Sequence, residues 1–438
     1  MQTLQHQTQV RALCVQFNDQ ITPICVNFID QMMSQYNANR NAKWKLKDAA
    51  LTLLLAVSVK TSTSQFGAND LNPKVNVMKY FGPHILSELQ GSNVNELPVL
   101  KADAIKFVTM FRQKMTRQNY VELFPLMLKH MSSQNIVVHT YAANFVERCL
   151  VVKEKNKQLR FDRAALKPFL SHLLKALFGI LDRPNYMKSS SAPDYIMKCI
   201  MRVVGVAKED CKPFLAVCLE KIKHHLGVAA KNPAFPKFNH YMFETIAVMI
   251  RNVCTNNRST VTHFQNSLFP VFQQILALQI TEFMPYVFQI MAQLLHLEPN
   301  GITTPFRKMF EMLLHPAQYE LRGNVPALVE LLKAYLSKPG TGPSSTLGVV
   351  VPHLQAVLGV WQKLCCSKNT DMHALNMLEV IVSSVPLKSY VSVVRIIEKK
   401  SFMLRLNIQS CSFEHTNTNP HTHTHIDTLR CWVKYLVS

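Results

Sequence analysis

The chain has 438 residues, 48% of them hydrophobic, and a formal charge of +21 from 48 Lys and Arg against 27 Asp and Glu. That apolar share excludes a globally disordered chain, and the length suits two or three ordinary domains or one long repeat array. A balance this basic makes nucleic acid, anionic membrane surfaces and acidic proteins possible partners, and it is silent on fold.

Only 12 glycines occur, as expected of a mostly helical chain, because glycine weakens helices. The opening MQTLQHQTQVRALCVQF has no basic region followed by a long apolar one, so no secretion signal is expected. Residues 1–19 read as a remnant ahead of the first regular element. From there the chain reads as amphipathic helices of 12 to 20 residues between short polar or Pro-containing turns.

A unit recurs. Its first helix carries a proline early in the apolar run: ITPICVNFIDQMM, FGPHILSEL, LFPLMLKHM, LKPFLSHLLKAL, CKPFLAVCLEKI, LFPVFQQILAL, TPFRKMFEMLL and VVPHLQAVLGVW. The prolines are Pro23, Pro83, Pro125, Pro168, Pro213, Pro270, Pro305 and Pro352, spaced by 60, 42, 43, 45, 57, 35 and 47. Proline is tolerated in a first helical turn, where its missing donor has no partner anyway. A second helix follows each time, often with alanines at its start that permit close packing: LKDAALTLLLAV, LKADAIKFVTMF, VVHTYAANFVERC, YIMKCIMRVV, YMFETIAVMI, YVFQIMAQLL, VPALVELLKAYL and ALNMLEVIV.

Two-helix units of roughly 40 to 47 residues have the period of HEAT repeats, each needing neighbours to bury its faces. The fold class expected is therefore all-α: a HEAT-repeat α-solenoid, a superhelical stack of antiparallel helix pairs. About eight pairs fit between residues 20 and 400, and SYVSVVRIIEKK begins a ninth. The two long spacings point to loop insertions, near 61–79 and near 227–238, and long insertions in a solenoid tend to carry function.

The stretch WKLKDAALTLLLAVSVK, 44–60, is then a second helix. Its apolar run LTLLLAVSV is too short to cross a bilayer, where about 20 residues are needed, and no membrane insertion is expected. Trp44, Lys45 and Lys47 belong to its first turn, as either a solvated basic turn or a partner contact. Eleven cysteines without C-x-x-C spacing read as small buried hydrophobes in a reducing compartment. Phosphate-loop, dinucleotide, zinc-protease and nucleophile-elbow motifs are all absent, and Cys365 and Cys366 have no activating base in sequence, so no enzyme is expected. His139, His240 and His296 read as structural. Cys411, His415, His421, His423, His425 and Cys431 lack zinc-ligand spacing, so no metal site is expected.

Several segments resemble one family closely. NVNELPVLKADAIKFVTMFR (93–112), NIVVHTYAANFVER (135–148), DYIMKCIMR (194–202), NPAFPKFNHYMFETI (232–246), GNVPALVELLKAYL (323–336) and WKLKDAA are similar to the exportin branch of the importin-β superfamily, the karyopherins, that returns importin-α to the cytoplasm. The resemblance runs from about Cys25 to Lys400. It implies a non-enzymatic HEAT solenoid that binds importin-α cargo together with Ran in its GTP form. It implies no cofactor, with GTP present only through bound Ran, and shuttling between nucleus and cytoplasm through pores of the nuclear envelope, with pore proteins as further partners.

The resemblance places the insertion near both Ran and cargo, which makes Thr61, Gln65, Asn69, Asp70 and Lys74 contact candidates. It also sets second helices on the inner surface, which adds Lys101, Lys106, Arg112, Arg148, Lys198, Arg202 and Arg251. Against that family the chain reads as a central fragment, more basic than karyopherins usually are, with a non-repeat and disordered tail at 401–438. The alternative is a basic HEAT scaffold for nucleic acid or another protein complex. The scattered charge, without aromatics interleaved at stacking positions, speaks against nucleic acid.

Overall fold

The computed structural model describes residues 2–61, 67–188 and 191–386. Among the described residues there are helices and no strand, with isolated bridges such as Val59 with Leu71 and Lys153 with Leu159. The chain divides into two compact units, the first of residues 1–300 and 322–331, the second beginning with 301–321 and continuing from 332.

The first unit opens on α1 (Gln2–Gln16), α2 (Asn18–Ala38) and α3 (Trp44–Ser58). After the insertion comes a helical segment in three stretches, Val77–Tyr80, Phe81–Leu86 and Ser87–Gln90, then α4 (Pro98–Met110), α5 (Arg117–Met131) and α6 (Ile136–Cys149). Next are α7 (Leu170–Leu181), α8 (Ala192–Ala207), α9 (Leu215–Lys231), α10 (Pro236–Cys254), α11 (Val261–Ala277) and α12 (Met284–Leu297). The second unit holds α13 (Thr304–Leu313), the end of α14 (Val325–Leu336), α15 (Leu354–Cys365) and α16 (Asp371–Ser384). Every second helix read from the sequence forms. The ninth-unit segment SYVSVVRIIEKK and the tail 401–438 lie outside the described residues.

Local chemistry sets the ends. Thr116 caps α5, its hydroxyl accepting from the Asn119 amide while Asn119 accepts from the Thr116 amide in return. Asn135 caps α6 by accepting from the amides of Val137 and Val138. The prolines fall elsewhere than expected. Of the eight, Pro305 stands in the first turn of an α-helix and Pro352 in a 3₁₀ turn ahead of α15, whereas Pro23, Pro125 and Pro270 lie inside helices. Pro83 sits in a widened π turn, and Pro168 and Pro213 in tightened 3₁₀ turns that lead into α7 and α9. A proline cannot donate to the carbonyl four residues back, and local winding changes accommodate that loss.

The 57-residue spacing is a second difference. No loop insertion exists near 227–238: α9 runs to Lys231, α10 begins at Pro236, and the extra residues lengthen both helices. GVAAK continues the helix readily, and Pro233 stops it.

Packing follows nearest neighbours. Second helices stack in the order α3, α4, α6, α8, α10, α12, each packing also on its own first helix, and α1 packs on α3 at the head of the row. Small residues make this possible: Ala104, Ala142 and Ala143 are fully buried, and Gly205 of α8 faces Val248 of α10. The segment Arg163–Leu181 is long and apolar enough to cross a membrane, but its stripe of Leu170, Leu173, Leu174 and Leu177 is buried, and α7 packs against α5 and α8.

Arginines tie the edges of the third and fourth pairs. Arg160 Nη1 donates to the carbonyls of Arg112, Gln113 and Met115 at 3.3, 3.0 and 2.7 Å. Arg183 does the same at the other edge, donating to Ser133 and Met131 at 2.8 and 3.1 Å.

Candidate partner-binding site

The described part of the insertion after α3, residue 61 and residues 67–79, returns against α2, α3 and α4. Lys60 donates its amide to Asp70 at 3.1 Å and Asn72 donates to Ser58 at 2.9 Å, so the loop folds back on its own start. Asn72, 3% exposed, anchors it by donating from Nδ2 to Asn18 and Thr22 on α2. Its far side reaches α4, where the Ala68 amide donates to the Met110 carbonyl at 3.0 Å. Gly67 beside it has φ +101, and a Cβ there would meet Met110 O at 2.8 Å and Arg112 Nη1 at 2.9 Å. Only glycine fits that approach. Thr61, Asn69 and Asp70 are exposed, Lys74 pairs with Asp19, and Gln65 lies outside the described residues.

Lys47 and Lys101 differ from their expected role. They are 2% and 4% exposed, and both grip Glu88, Lys47 Nζ on Oε2 at 2.6 Å and Lys101 Nζ on Oε1 at 2.6 Å. Tyr36 donates to the same carboxylate at 3.3 Å and places its ring 4.6 Å from the Lys47 ammonium. Burial opposes the ionised form of Glu88, but hydrogen bonds from Lys101 and Lys47 outweigh it and hold the carboxyl below its ordinary value. Burial lowers Lys47 and pushes the Tyr36 hydroxyl up to about 12. Both lysines turn inward onto Glu88, so their charge serves the core. Trp44 is half-buried beside exposed Lys45, whose ammonium lies 5.9 Å from the indole. Close by on α4, burial and then the Asp48 carboxylate push Asp103 up to about 7.

Three of the expected cations do come together. Lys106, Arg112 and Arg148 line an open cleft of about 360 Å³ with Gly67, Thr109, Met110, Thr140, Tyr141, Asn144 and Tyr195. Arg112, 4% exposed, donates to the Thr109 carbonyl at 2.7 Å and so offsets the negative end of α4; Arg148 holds the matching place in the last turn of α6. Burial lowers the Arg112 pKa.

Lys198 and Arg202 form a neighbouring cluster around Glu147, which is 3% exposed. Its carboxylate is 3.6 Å from Lys198, 3.4 Å from Arg202 and 3.4 Å from Arg148, one negative charge among three positive. Lys198 also lies 5.8 Å from the Tyr241 ring centre. Arg251, exposed in the last turn of α10, does not line the cleft.

Sequence reasoning missed Tyr141, Asn144, Tyr195 and Glu147. A signal was there. Tyr141, Asn144 and Arg148 on α6, and Tyr195, Lys198 and Arg202 on α8, share the spacing i, i+3, i+7, which is one helical stripe repeated on adjacent helices. Aromatics are thus interleaved with the cations, contrary to the scattered picture. Among the described residues no cluster of His, Cys, Asp and Glu could hold a metal ion, and the Cys411 to Cys431 group lies outside them. His139 is buried on Ser133 O and Tyr186 at 3.0 and 3.2 Å, and His240 meets Tyr286 at 3.2 Å.

Helix pairs stacked by nearest neighbours, with a charged stripe on the second helices, define a HEAT-repeat α-solenoid. Residues 6–146 match the Cse1 family profile, and residues 147–413 match that of CAS/CSE protein, C-terminus. Exportin-2 of Pagrus major and of Homo sapiens are each 38% identical over 380 residues, 87% of this chain and 38% of theirs. A solved structure of the exportin Cse1 in its cargo-free, cytoplasmic state superposes with a TM-score of 0.78 at 26% identity, covering 93% of this chain and 41% of that one. The chain belongs to the CAS/CSE (exportin-2) family, a HEAT-repeat α-solenoid as its helix periodicity implies, and spans 38% of the length of these curated relatives.

Proposed function

We propose that this chain is part of a nuclear transport receptor that exports importin-α to the cytoplasm in a joint complex with Ran-GTP. Membership of the exportin-2 family is the observation that carries the reading. The arrangement of the site supports it: the insertion sits against α4 at the edge of a stripe formed by second helices, so one surface offers contacts from both. Lys106, Arg112, Arg148, Lys198, Arg202 and Arg251, with Thr61, Asn69, Asp70 and Lys74 of the insertion, are the contact residues under this reading. The protein supplies binding, with no catalytic step and no cofactor of its own, and nucleotide enters only on Ran. It shuttles through nuclear pores.

Coupling follows from linkage. If Ran-GTP raises affinity for importin-α, importin-α raises affinity for Ran-GTP by the same factor, typically about 1–3 kcal/mol. The test is retention of purified importin-α by the immobilised protein in moderate salt, with Ran loaded with GTP or GDP. Stronger retention with Ran-GTP supports the reading; equal retention, or retention of RNA in place of importin-α, overturns it. Deleting residues 62–74 should change the GTP preference and leave helix content intact.

A further inference from the structure

Four successive second helices each carry one tyrosine within their first two turns: Tyr141 on α6, Tyr195 on α8, Tyr241 on α10 and Tyr286 on α12. The residue three positions on is polar every time, Asn144, Lys198, Glu244 and Gln289. Core tyrosines such as Tyr120 and Tyr335 are fully buried, whereas Tyr141 and Tyr195 are 37% and 43% exposed and Tyr241 and Tyr286 are half-buried. Contacts join each rung to the next. Tyr141 and Tyr195 line one cleft. Lys198, one turn beyond Tyr195, lies 5.8 Å from the Tyr241 ring centre. His240, beside Tyr241, meets the Tyr286 hydroxyl at 3.2 Å, and buried Phe243 stacks on the Tyr286 ring at 4.8 Å.

We propose that this tyrosine ladder binds an acidic, proline-rich segment of a partner protein, extended as a polyproline II helix. The spacing selects the conformation. Packed helices lie about 8–10 Å apart. A polyproline II chain, with three residues per turn, returns a side chain to the same face about every 9.3 Å. A β-strand returns one about every 6.6 Å and falls out of step at the next rung. An α-helix returns one about every 10.5 Å, but it needs an apolar stripe to meet, and Asn144, Lys198, Glu244 and Gln289 interrupt one here. A polyproline II backbone makes no internal hydrogen bonds. Its carbonyls can accept from the tyrosine hydroxyls and from the Asn144 and Gln289 amides, while its proline rings lie on the tyrosine faces.

Charge selects the composition. Lys198 and Arg202 share the single carboxylate of Glu147, at 3.6 and 3.4 Å, and Arg148 is on it as well at 3.4 Å. Two cations on one carboxylate, without counting Arg148, leave positive charge in surplus at the α6 and α8 rungs. The α10 and α12 rungs carry Glu244, Gln289 and Gln293 instead. Carboxylates of the segment therefore lie over α6 and α8, and its neutral, proline-rich part over α10 and α12. A single-stranded nucleic acid carries a charge on every unit and would set phosphates beside Glu244. The inference goes beyond the transport reading and does not rest on it, because neither importin-α nor Ran takes part.

The experiment is fluorescence anisotropy of labelled, capped peptides with the whole 438-residue protein. The probe has four Xaa-Pro-Pro triplets, with Glu in the two at one end and Gln in the others, made in both orders. It should bind at one site per chain. Replacing its prolines with glycine, or its Glu with Lys, should weaken binding about tenfold or more. Tyr195→Ala and Tyr241→Ala should each weaken it about two- to tenfold. Tyr195→Phe keeps the ring and should weaken it less than Tyr195→Ala. Lys198→Gln joined to Arg202→Gln should flatten the salt dependence and change binding of an all-Gln probe less than about twofold. Phe28→Ser on α2 and Lys175→Gln on α7 alter exposed residues of first helices and should likewise change binding less than about twofold. No binding in either order overturns the proposal, as does equal binding of the glycine or lysine version. A Phe28→Ser loss equal to that of Tyr195→Ala also overturns it. Single-stranded RNA bound more tightly than the probe, and weakened by the same tyrosine variants, overturns it too and marks a nucleic-acid track.

Discussion

Replacing Glu88 with alanine removes the one carboxylate held between Lys47 and Lys101, with contacts of 2.6 Å on either side. Both ammonium groups then stay in the interior, at 2% and 4% exposure, with no counter-charge and with Tyr36 deprived of its acceptor. Breaking a buried pair in this way costs about 3–5 kcal/mol, because the remaining charge is left desolvated. Contacts run only between neighbours, so the loss should be local. Hydrogen exchange read by mass spectrometry should show α3, α4 and the segment from Val77 to Gln90 losing protection by about two to four orders of magnitude. Peptides from α12 should be unchanged. The triple replacement Glu88→Met, Lys47→Met and Lys101→Met should recover most of the loss, since apolar groups of similar volume need no counter-charge. The sign with pH is fixed too. Glu88 has a depressed folded pKa, so its contribution is present above the ordinary carboxylate value and is lost as pH falls through the folded value. Unchanged protection in Glu88→Ala, or a triple variant no better than the single one, would refute the reasoning.

Gly67→Ala should free the insertion from α4, at about 1–3 kcal/mol for a strained left-handed residue, and appear as faster proteolysis of the loop with helix content retained. Arg160→Ala removes donors from three carbonyls and should destabilise the connection at residues 111–116 by about 2–3 kcal/mol, seen as local exchange. Asp103 binds its proton more tightly folded than unfolded, so it withdraws stability as pH rises from its ordinary 3.8 towards about 7. Asp103→Asn should flatten that part of the melting temperature against pH profile, and an unaltered slope would contradict this assignment.

The helix pairs were legible because each unit buries a stripe at period 3.6 and repeats it near every 45 residues; α3, read from LTLLLAVSV, runs to Ser58. The proline positions were read too simply. Proline marks where a first helix changes its winding, and sequence alone does not distinguish that from a helix start. The spacing between Pro213 and Pro270 suggested a loop, yet alanines carried the chain on as helix, because propensity decides what spacing cannot. The site was half visible. Arg112 and Arg148 at the ends of second helices follow from the helix dipole, and the Tyr141 stripe could have been found by aligning one second helix with the next. The inward turn of Lys47 and Lys101 could not, since it depends on Glu88, 41 and 13 residues distant, which belongs to the first helix of the pair after Lys47 and of Lys101's own pair.

Arg160 and Arg183 grip backbone carbonyls at opposite edges of the same two helix pairs, three at one edge and two at the other. Drawn apart along the stacking direction, those bonds are loaded together, and none can be peeled in sequence. Under tension this portion should hold as a plank while other junctions lengthen first. This portion would then behave less like a spring than like a welded link, its extension taken up elsewhere.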